Sequence, residues 1–400
     1  MVSAPALSQD FTQRGYLEMR LAAYPQKAPG DSGRAVGDAL LRYEAAYKLG
    51  SGLRVAGAID ARTDSHRQVE RQWNLSWQDR TLQSPALALR RLSLTYHRGG
   101  LTAEAGKQFI RWGKADVLNP TDRFAPRDFL RVVDNDFLAV TAARLSYERG
   151  GDTWEAVYAP RMTPSRLPLV TQRWVVLPEN LPPGLELSDG GARFPGGPQL
   201  GVRWNHIGRG LEYSLSFYEG FNHLPLLETR VLSAAPPRVE VARLYPRMRM
   251  YGGDAAVPLR WLTVKGEAAY FSSSTPQADE YVQYVVQLER QAGEWFLVGG
   301  YAGEAVTARR NRLDFAPDRG LTRAFLGRAG YTIDTNRSIA VEAAVRENGN
   351  GAWTRVEYSQ AFGQHWRTTL GFTWIRGSAD DFLGQYRRNS HAIFAVRYSF

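Results

Sequence analysis

The chain has 400 residues, a net charge of +10 and a mean hydropathy of −0.38. No stretch approaches the roughly 20 consecutive apolar residues of a transmembrane helix, which excludes a helical membrane protein. The chain contains no cysteine, which excludes disulfides, thiolate metal sites and covalent c-type haem. Most of its basic residues are arginines that stand singly in alternating segments, so the positive charge does not indicate nucleic-acid binding.

Residues 1–10 are predicted to form an N-terminal tail. They lack the basic start and the apolar core of a signal peptide, although their small residues would fit the end of one whose front is missing. From residue 11 to residue 400 the pattern is uniform, and we expect a single domain there.

Strict alternation of apolar and polar residues begins early in the chain. Leu17, Met19 and Leu21 alternate with the charged Glu18 and Arg20, which is typical of a strand with one apolar face. The same pattern recurs in residues 53–60, 87–99, 208–220, 366–374 and 390–400. These segments predict a protein built from strands.

Turn signals divide the chain into tight turns and long loops that alternate. Tight turns are predicted at Gly50–Gly52, Gly99–Gly100, Arg149–Asp152, Gly208–Gly210, Pro258–Trp261, Gln291–Glu294, Asp334–Asn336 and Gly363–His365. Longer polar stretches are found at residues 25–37, 63–85, 112–136, 160–198, 220–237, 272–279, 304–319, 347–351 and 377–388. Eight tight turns and nine long loops, with both termini on the tight-turn side, predict eighteen strands. Sixteen is the alternative, because the pattern in residues 237–257 is ambiguous.

These features predict an all-β fold, a closed antiparallel transmembrane β-barrel that is integral to the bacterial outer membrane. In lipid every backbone N–H and C=O needs a partner, so a spanning sheet must close on itself with its apolar face outward. The alternating strand that ends at Phe400 resembles the C-terminal signal of outer-membrane proteins. A soluble sandwich with a packed apolar core is the alternative.

The most distinctive segment is Gly106–Asp128, which starts as a strand and breaks at Gly113 into a loop rich in Asp, Asn and Pro. Pro120 cannot donate to a β-ladder, and Asn119-Pro120 favours a turn. We expect the loop 112–136 to fold into the barrel and restrict its lumen; alternatively, its carboxylates only brace it against the wall. With two inward arginines of the wall, the candidate pore-lining or constriction residues are Arg111, Lys114, Asp116, Asn119, Asp122, Arg123, Arg127, Asp128, Arg144 and Arg203.

Residues 160–198 form the second distinctive segment. It begins with a Pro-Ser-Arg-Leu-Pro motif at Pro164–Pro168, and later Leu181–Gly184 and Phe194–Pro198 argue against regular strand. Loops of this length are usually functional or disordered. We predict that this loop also restricts the lumen; the alternative is a surface loop that faces lipopolysaccharide.

The motifs of these two segments carry a family resemblance. A strand ending in Gln108-x-x-x-Trp112-Gly-x-x-Asp116, followed by Asn119-Pro-x-Asp122 and the Pro-Ser-Arg-Leu-Pro loop, resembles a widespread group of porin-like outer-membrane proteins of proteobacteria. In layout that group is similar to the alginate-export family of eighteen-stranded barrels. The resemblance implies a monomeric channel with inward loops and an arginine-lined lumen that passes an anionic polysaccharide.

We therefore predict a porin-like channel that passes small or polymeric polar solutes, with a preference for anions because arginine is in excess. An enzyme is not expected, because the six histidines are scattered and neither Gly-x-Ser-x-Gly nor His-x-x-x-His occurs. No cofactor, metal ligand or catalytic residue is predicted. The expected partners are outer-membrane lipid, lipopolysaccharide and an anionic small-molecule or polysaccharide solute, and a protein partner is left open.

Three other functions stay open at this point. The barrel could be a scaffold that sheathes a partner protein such as an electron carrier. It could be an outer-membrane enzyme whose site is assembled from distant strands. Uptake of apolar molecules is the third, although charged residues on the inward face argue against it.

Overall fold

A computed structural model describes residues 10–28, 31–116, 118–176, 184–234, 237–311 and 316–400. Nearly all of the predicted N-terminal tail therefore lies outside the described residues. Within these ranges the chain consists of strands, loops and two short 3-10 helices. None of the helices found there is long and apolar enough to cross a membrane.

Eighteen long strands build the main sheet, each with the alternating pattern seen in the sequence. Their bounds are β1 Phe11–Ala23, β2 Ala35–Lys48, β3 Leu53–Asp64, β4 Leu87–Arg98, β5 Leu101–Gln108, β6 Val140–Arg149, β7 Asp152–Ala159, β8 Gln199–Ile207, β9 Glu212–Phe221, β10 Arg247–Pro258, β11 Thr263–Ser272, β12 Glu280–Ala292, β13 Trp295–Ala308, β14 Ala324–Thr332, β15 Arg337–Arg346, β16 Gly351–Phe362, β17 Trp366–Gly377 and β18 His391–Ser399. A two-residue strand, Leu75–Ser76, adds in parallel beside β4.

Each long strand pairs antiparallel with its neighbour in the chain, and β1 closes the ring on β18. At the closure Glu18 lies opposite Arg397, and the backbone of Gly15 exchanges two 2.9 Å hydrogen bonds with that of Phe400. Closure gives both edges of the sheet a partner, which is the requirement that lipid imposes. The predicted closed barrel of eighteen strands is confirmed.

The two faces of the wall differ as the alternation predicts. Met19 and Leu21 on β1 are 59% and 51% exposed on the outside of the barrel. Arg42 and Asp60 belong to neighbouring strands, are buried on the inside and form an ion pair at 2.7 Å. Because lipid disfavours charge strongly at mid-bilayer, this arrangement suits a membrane-spanning wall.

The connections alternate between the two ends of the barrel, as predicted. Short turns at residues 49–52, 99–100, 150–151, 208–211, 259–262, 293–294, 333–336 and 363–365 lie at what we call the turn end. The long loops lie at the opposite, loop end; named L1 to L9 in chain order, they span residues 24–34, 65–86, 109–139, 160–198, 222–246, 273–279, 309–323, 347–350 and 378–390.

L4 differs from the sequence prediction, because part of it forms regular strand. Glu186–Arg193 pairs in parallel with Pro237–Leu244 of L5, which pairs antiparallel with Leu226–Ala234. The Pro-Gly motifs of L4 flank this strand instead of interrupting it, and residues 181–183 of the first motif lie outside the described part of the chain. The ambiguous stretch 237–257 is likewise resolved into a strand of this small sheet, followed by β10.

Candidate functional site

L3 packs against the inner face of the barrel wall through apolar side chains. Ile110, Trp112 and Phe124 of L3 are buried in one cluster with Tyr218 of β9 and Met250 of β10. The rings of Trp112 and Phe124 meet edge to face, with 5.4 Å between their centroids. Buried aromatic side chains contribute strongly to stability, so L3 is a packed part of the fold.

A buried carboxylate on the wall organises the first turn of L3. Glu267 of β11 accepts hydrogen bonds from the backbone amides of Lys114 at 3.1 Å, Ala115 at 3.3 Å and Thr121 at 2.8 Å. The Thr121 hydroxyl also donates to it, at 2.8 Å. Gly113 has a φ of +84°, and a Cβ there would lie 2.5 Å from Glu267 Oε2. Only glycine therefore lets the chain turn around this carboxylate.

Two of the predicted site residues share one carboxylate. Asp254 of β10, fully buried, lies 3.3 Å from Lys114 Nζ and 3.1 Å from an Arg203 guanidinium nitrogen. Lys114 also pairs with Glu212 of β9 at 2.5 Å. The structure thus brings Lys114 and Arg203 together, and their charges are largely balanced by the wall.

Other predicted residues are also held in pairs. Arg111 lies 2.6 Å from Asp122, whose other oxygen accepts the Trp112 amide at 3.1 Å. Arg144 of β6 donates to Glu155 of β7 at 2.7 Å, and the indole N–H of Trp112 donates to the same carboxylate. These contacts tie the start of L3 to β6 and β7.

The predicted site residues in the middle of L3 are also held by hydrogen bonds and ion pairs. Asp116 pairs with Lys265 at 3.1 Å, and its amide donates to Gln287 at 3.0 Å. The Asn119 side chain donates to the Ala115 carbonyl. Arg123 donates to the Asn119 carbonyl at 3.4 Å and stacks over a ring of the wall. Asn119 therefore braces the loop internally, whereas Asp116 and Arg123 reach the wall.

The Pro-Ser-Arg-Leu-Pro motif of L4 fastens the end of L3. Ser165 Oγ accepts the Arg127 amide at 2.9 Å, and the Arg127 guanidinium donates to Asn135 at 2.7 Å. Arg166 is buried between Asp79 of L2 and Asp128 of L3, at 2.7 Å from each. Burial alone would raise the pKa of Asp128, but the charges of Arg166 and other cations outweigh it and lower that pKa. This motif therefore joins L2, L3 and L4.

A serine–histidine pair occurs beside this joint. Ser165 Oγ lies 3.1 Å from His223 Nδ1, and both residues are buried. Burial and the nearby charges of Arg123 and Arg127 lower the pKa of His223 to about 3, so its imidazole is neutral. A buried pair without access for a substrate is a packing joint between loops and not a nucleophilic site.

A large cavity lies between L3 and the wall formed by β1, β2, β3 and β18. It measures about 700 Å³ and reaches from Arg14 and Phe400 at the turn end to Ser84 and Asp128 in the loops. Its charged lining is balanced, with six arginines and six carboxylates: Arg14, Arg20, Arg42, Arg62, Arg131 and Arg397 with Glu18, Asp38, Glu44, Asp128, Asp134 and Asp136. Of the ten predicted site residues, Asp128 is the one that lines it.

Most residues that line this cavity were not singled out from the sequence. L3 brings Asp134 to Arg20, and Asp136 to Arg90 at 2.7 Å and Arg42 at 3.3 Å. The alternation of apolar and polar residues predicts that Glu18, Arg20 and Arg397 face the inside of the barrel. The approach of Asp134 and Asp136 to the wall was not predictable, because it depends on how L3 packs.

A second cavity, of about 460 Å³, lies on the inner wall of β1 to β4 toward the turn end. It is lined by Arg14, Arg54, Arg90 and Arg91, with Glu44 as its one carboxylate. Arg91 also pairs with Glu104 at 2.9 Å. Arg14 pairs with Glu44 and Arg90 with Asp136, which leaves Arg54 as the arginine of this cavity without a carboxylate partner among the described residues.

No protein family model and no curated protein matches this chain. Among solved structures, a BenF-like porin from Pseudomonas fluorescens Pf-5 aligns over 98% of both chains with a TM-score of 0.56 and 10% identity. OpdQ of Pseudomonas aeruginosa aligns over 98% of both chains, with a TM-score of 0.54 and 9% identity. The chain has the fold of outer-membrane porins.

OccAB4 of Acinetobacter baumannii supports the same assignment of fold. It aligns over 99% of this chain and 100% of its own, with a TM-score of 0.54 and 9% identity. At this identity the likeness establishes the architecture of the barrel. The resemblance to the alginate-export family, and the solute that it implies, stay predictions.

Proposed function

We propose that this chain is an integral outer-membrane porin that passes small polar solutes along the 700 Å³ cavity between L3 and the wall. The observation that carries the proposal is the extent of this cavity, from Phe400 at the turn end to Asp128 in the loop layer. Its lining of ionised side chains suits water and polar solutes and would exclude apolar ones. Eighteen-stranded barrels are wide enough for an aqueous channel unless loops fill them.

L3 and the first part of L4 are proposed to restrict the lumen. Support comes from the apolar packing of L3 against β9 and β10, which fills that side of the interior. On the other side, Asp134 and Asp136 of L3 reach arginines of the wall. In L4 the support is limited to residues 160–176, where Arg166 and Ser165 hold L3, since Glu186–Arg193 belongs to the small sheet.

The preference for anions is proposed to arise at the second cavity. The large cavity has equal numbers of basic and acidic side chains, so it offers little selection by sign. Arg14, Arg90 and Arg91 are paired there with Glu44, Asp136 and Glu104. Arg54 has no carboxylate partner in the part of the chain that the structure describes, and its charge would raise the local concentration of anions. Carboxylates and phosphates of small solutes are the groups that arginine recognises best.

Single-channel recording in a planar bilayer, across a salt gradient, tests the proposal. We expect stable conductance steps and a reversal potential whose sign shows that anions pass more easily than cations. Deletion of residues 114–128 should raise the conductance, since it removes the middle of L3. A heat-modifiable gel band verifies that each variant is a folded barrel. A folded and inserted protein without conductance would overturn the proposal and favour a scaffold role, whereas unchanged conductance after the deletion would refute restriction by L3.

A further inference from the structure

Two arginines on β10 depart from the rule that charged side chains face inward. Met248 and Met250 are buried in the interior cluster with L3, so the side chains of Arg247 and Arg249 point outward. These two side chains are 59% and 56% exposed. They lie at the loop end of the barrel, immediately after L5. Lipid-facing arginines are disfavoured unless they reach polar groups, so these two side chains are candidates for binding a polar group of the lipid.

The two guanidinium groups converge on one acceptor. Arg247 and Arg249 lie 3.0 Å and 3.2 Å from the same oxygen, Oε1 of Glu219 on β9. Two cations and one carboxylate leave a single positive charge, with most of both guanidinium groups open to the surroundings. The position of Arg247 is fixed by L6, where Thr275 Oγ1 accepts its backbone amide at 3.0 Å.

Directly below this charged group the outer wall is apolar. In the register of β9 and β10, Glu219 lies opposite Arg249, Phe217 opposite Tyr251, and Leu215 opposite Gly253. The rings of Phe217 and Tyr251 are in contact, with 5.2 Å between their centroids. Leu215 is highly exposed, and its side chain lies over Gly253 on the next strand. A cationic group above an aromatic and apolar strip matches an amphiphile with an anionic head.

We propose that the group Glu219, Arg247 and Arg249, with the strip below it, is a binding site for a phosphate of lipid A in lipopolysaccharide. Arginine pairs bind phosphate through short, charge-assisted hydrogen bonds, and basic clusters at membrane interfaces select anionic head groups. The loop end of an outer-membrane barrel faces the leaflet that holds lipopolysaccharide, so Arg247 and Arg249 lie on the side of the membrane where its phosphates are. This proposal rests on outer-membrane insertion but not on conduction.

Binding of diphosphoryl lipid A to the folded, delipidated barrel tests the site, with phosphate-free lipid A as the matched probe. We expect the Arg247→Gln/Arg249→Gln variant to bind diphosphoryl lipid A at least about tenfold more weakly. Arg290→Gln is the control, because Arg290 is also exposed on the outer face but lies near the turn end. Phosphate-free lipid A should bind the native barrel as weakly as diphosphoryl lipid A binds the double variant.

Glu219→Gln supplies an independent test should the double variant fail to fold. Removing the carboxylate that competes for both arginines should strengthen binding of diphosphoryl lipid A. Equal binding by native protein, double variant and Glu219→Gln would overturn the proposal. Binding of inorganic phosphate as tight as that of diphosphoryl lipid A would also overturn it, because it would show an anion site without selection for the lipid. Conductance is recorded on the same samples. A loss of lipid A binding with native conductance would concern this site alone, and a loss of conductance would concern the channel proposal.

Discussion

Gly113 and Glu267 are packed so closely that a methyl group on the glycine would lie 2.5 Å from the carboxylate. Gly113→Ala should therefore displace the first turn of L3 and destabilise it by about 1–3 kcal/mol. The displaced turn should make L3 easier to cleave in limited proteolysis and should increase the noise of the open channel. Gly363→Ala is the matched control, since Gly363 has a φ of +61° but nothing within 4 Å of its Cβ position. Equal effects of both variants would mean that backbone strain, and not the contact with Glu267, is responsible.

Glu267→Gln should loosen the same turn without changing its volume. The amide nitrogen of glutamine cannot accept, so some of the donors of Lys114, Ala115 and Thr121 would lose their partner. Each unsatisfied buried donor costs about 1–3 kcal/mol. Hydrogen exchange at the Thr121 amide measures the effect. Glu289→Gln, which removes a partly exposed partner of Lys265 on the next strand, should leave that exchange unchanged.

Arg166→Ser should release L3 from L2 and L4. Arg166 is buried between two carboxylates, and breaking such a pair from one side costs about 3–5 kcal/mol. We expect faster proteolysis within residues 118–136 and more frequent fluctuations of conductance. Arg161→Ser changes an exposed arginine of the same loop and serves as the control. If L3 is cleaved at the native rate in Arg166→Ser, its position does not depend on this joint.

Anion preference should respond to Arg54 more than to Arg144 and Arg203. Arg54 lines the arginine-rich cavity without a carboxylate partner within the described ranges, whereas Arg144 is paired with Glu155 and Arg203 with Asp254. Arg54→Ser should move the reversal potential toward that of cations, and Arg144→Ser/Arg203→Ser should move it much less. The opposite order would place the selective region beside L3.

Acid should weaken the joint that contains His223. Its folded-state pKa is about 3 against an ordinary 6.5, because burial and two nearby arginines disfavour the imidazolium. Between pH 3 and pH 6.5 the unfolded segment therefore binds more protons than the folded one. The contribution of the neutral His223 to the stability of this joint is complete above about pH 6.5 and is lost as the pH falls toward 3. Proteolysis of L4 at pH 7 and pH 4.5 measures this loss. His223→Gln should reduce the difference, and an undiminished difference would mean that His223 does not cause it.

The barrel itself was predictable from the sequence because its rules are local. The alternation of Leu17 and Met19 with Glu18 and Arg20 fixes which side faces lipid, and glycine-rich turns separate the strands. The small sheet was missed because Glu186–Arg193 finds its parallel partner in L5, and no local signal reports such a pairing.

The interior was predictable only in part. The loop around Gly113 was recognised as unusual, and the structure gives contacts for each of its charged residues. Whether a charge lines a cavity or pairs with the wall depends on packing between loops, which is why Asp134 and Asp136 were passed over. The role of the ten predicted residues in permeation stays a prediction that the recordings above address.

The hydrogen bonds between Gly15 and Phe400 have a consequence for the order of events in assembly. A ring that is sealed by its first and last strands presents two unpaired edges for as long as β18 has not been made. During that interval the growing chain exposes strands able to pair with any other open edge, which is the route to aggregation. The barrel can therefore close only after β18 has been made, and until then both edges must be kept from pairing with other chains.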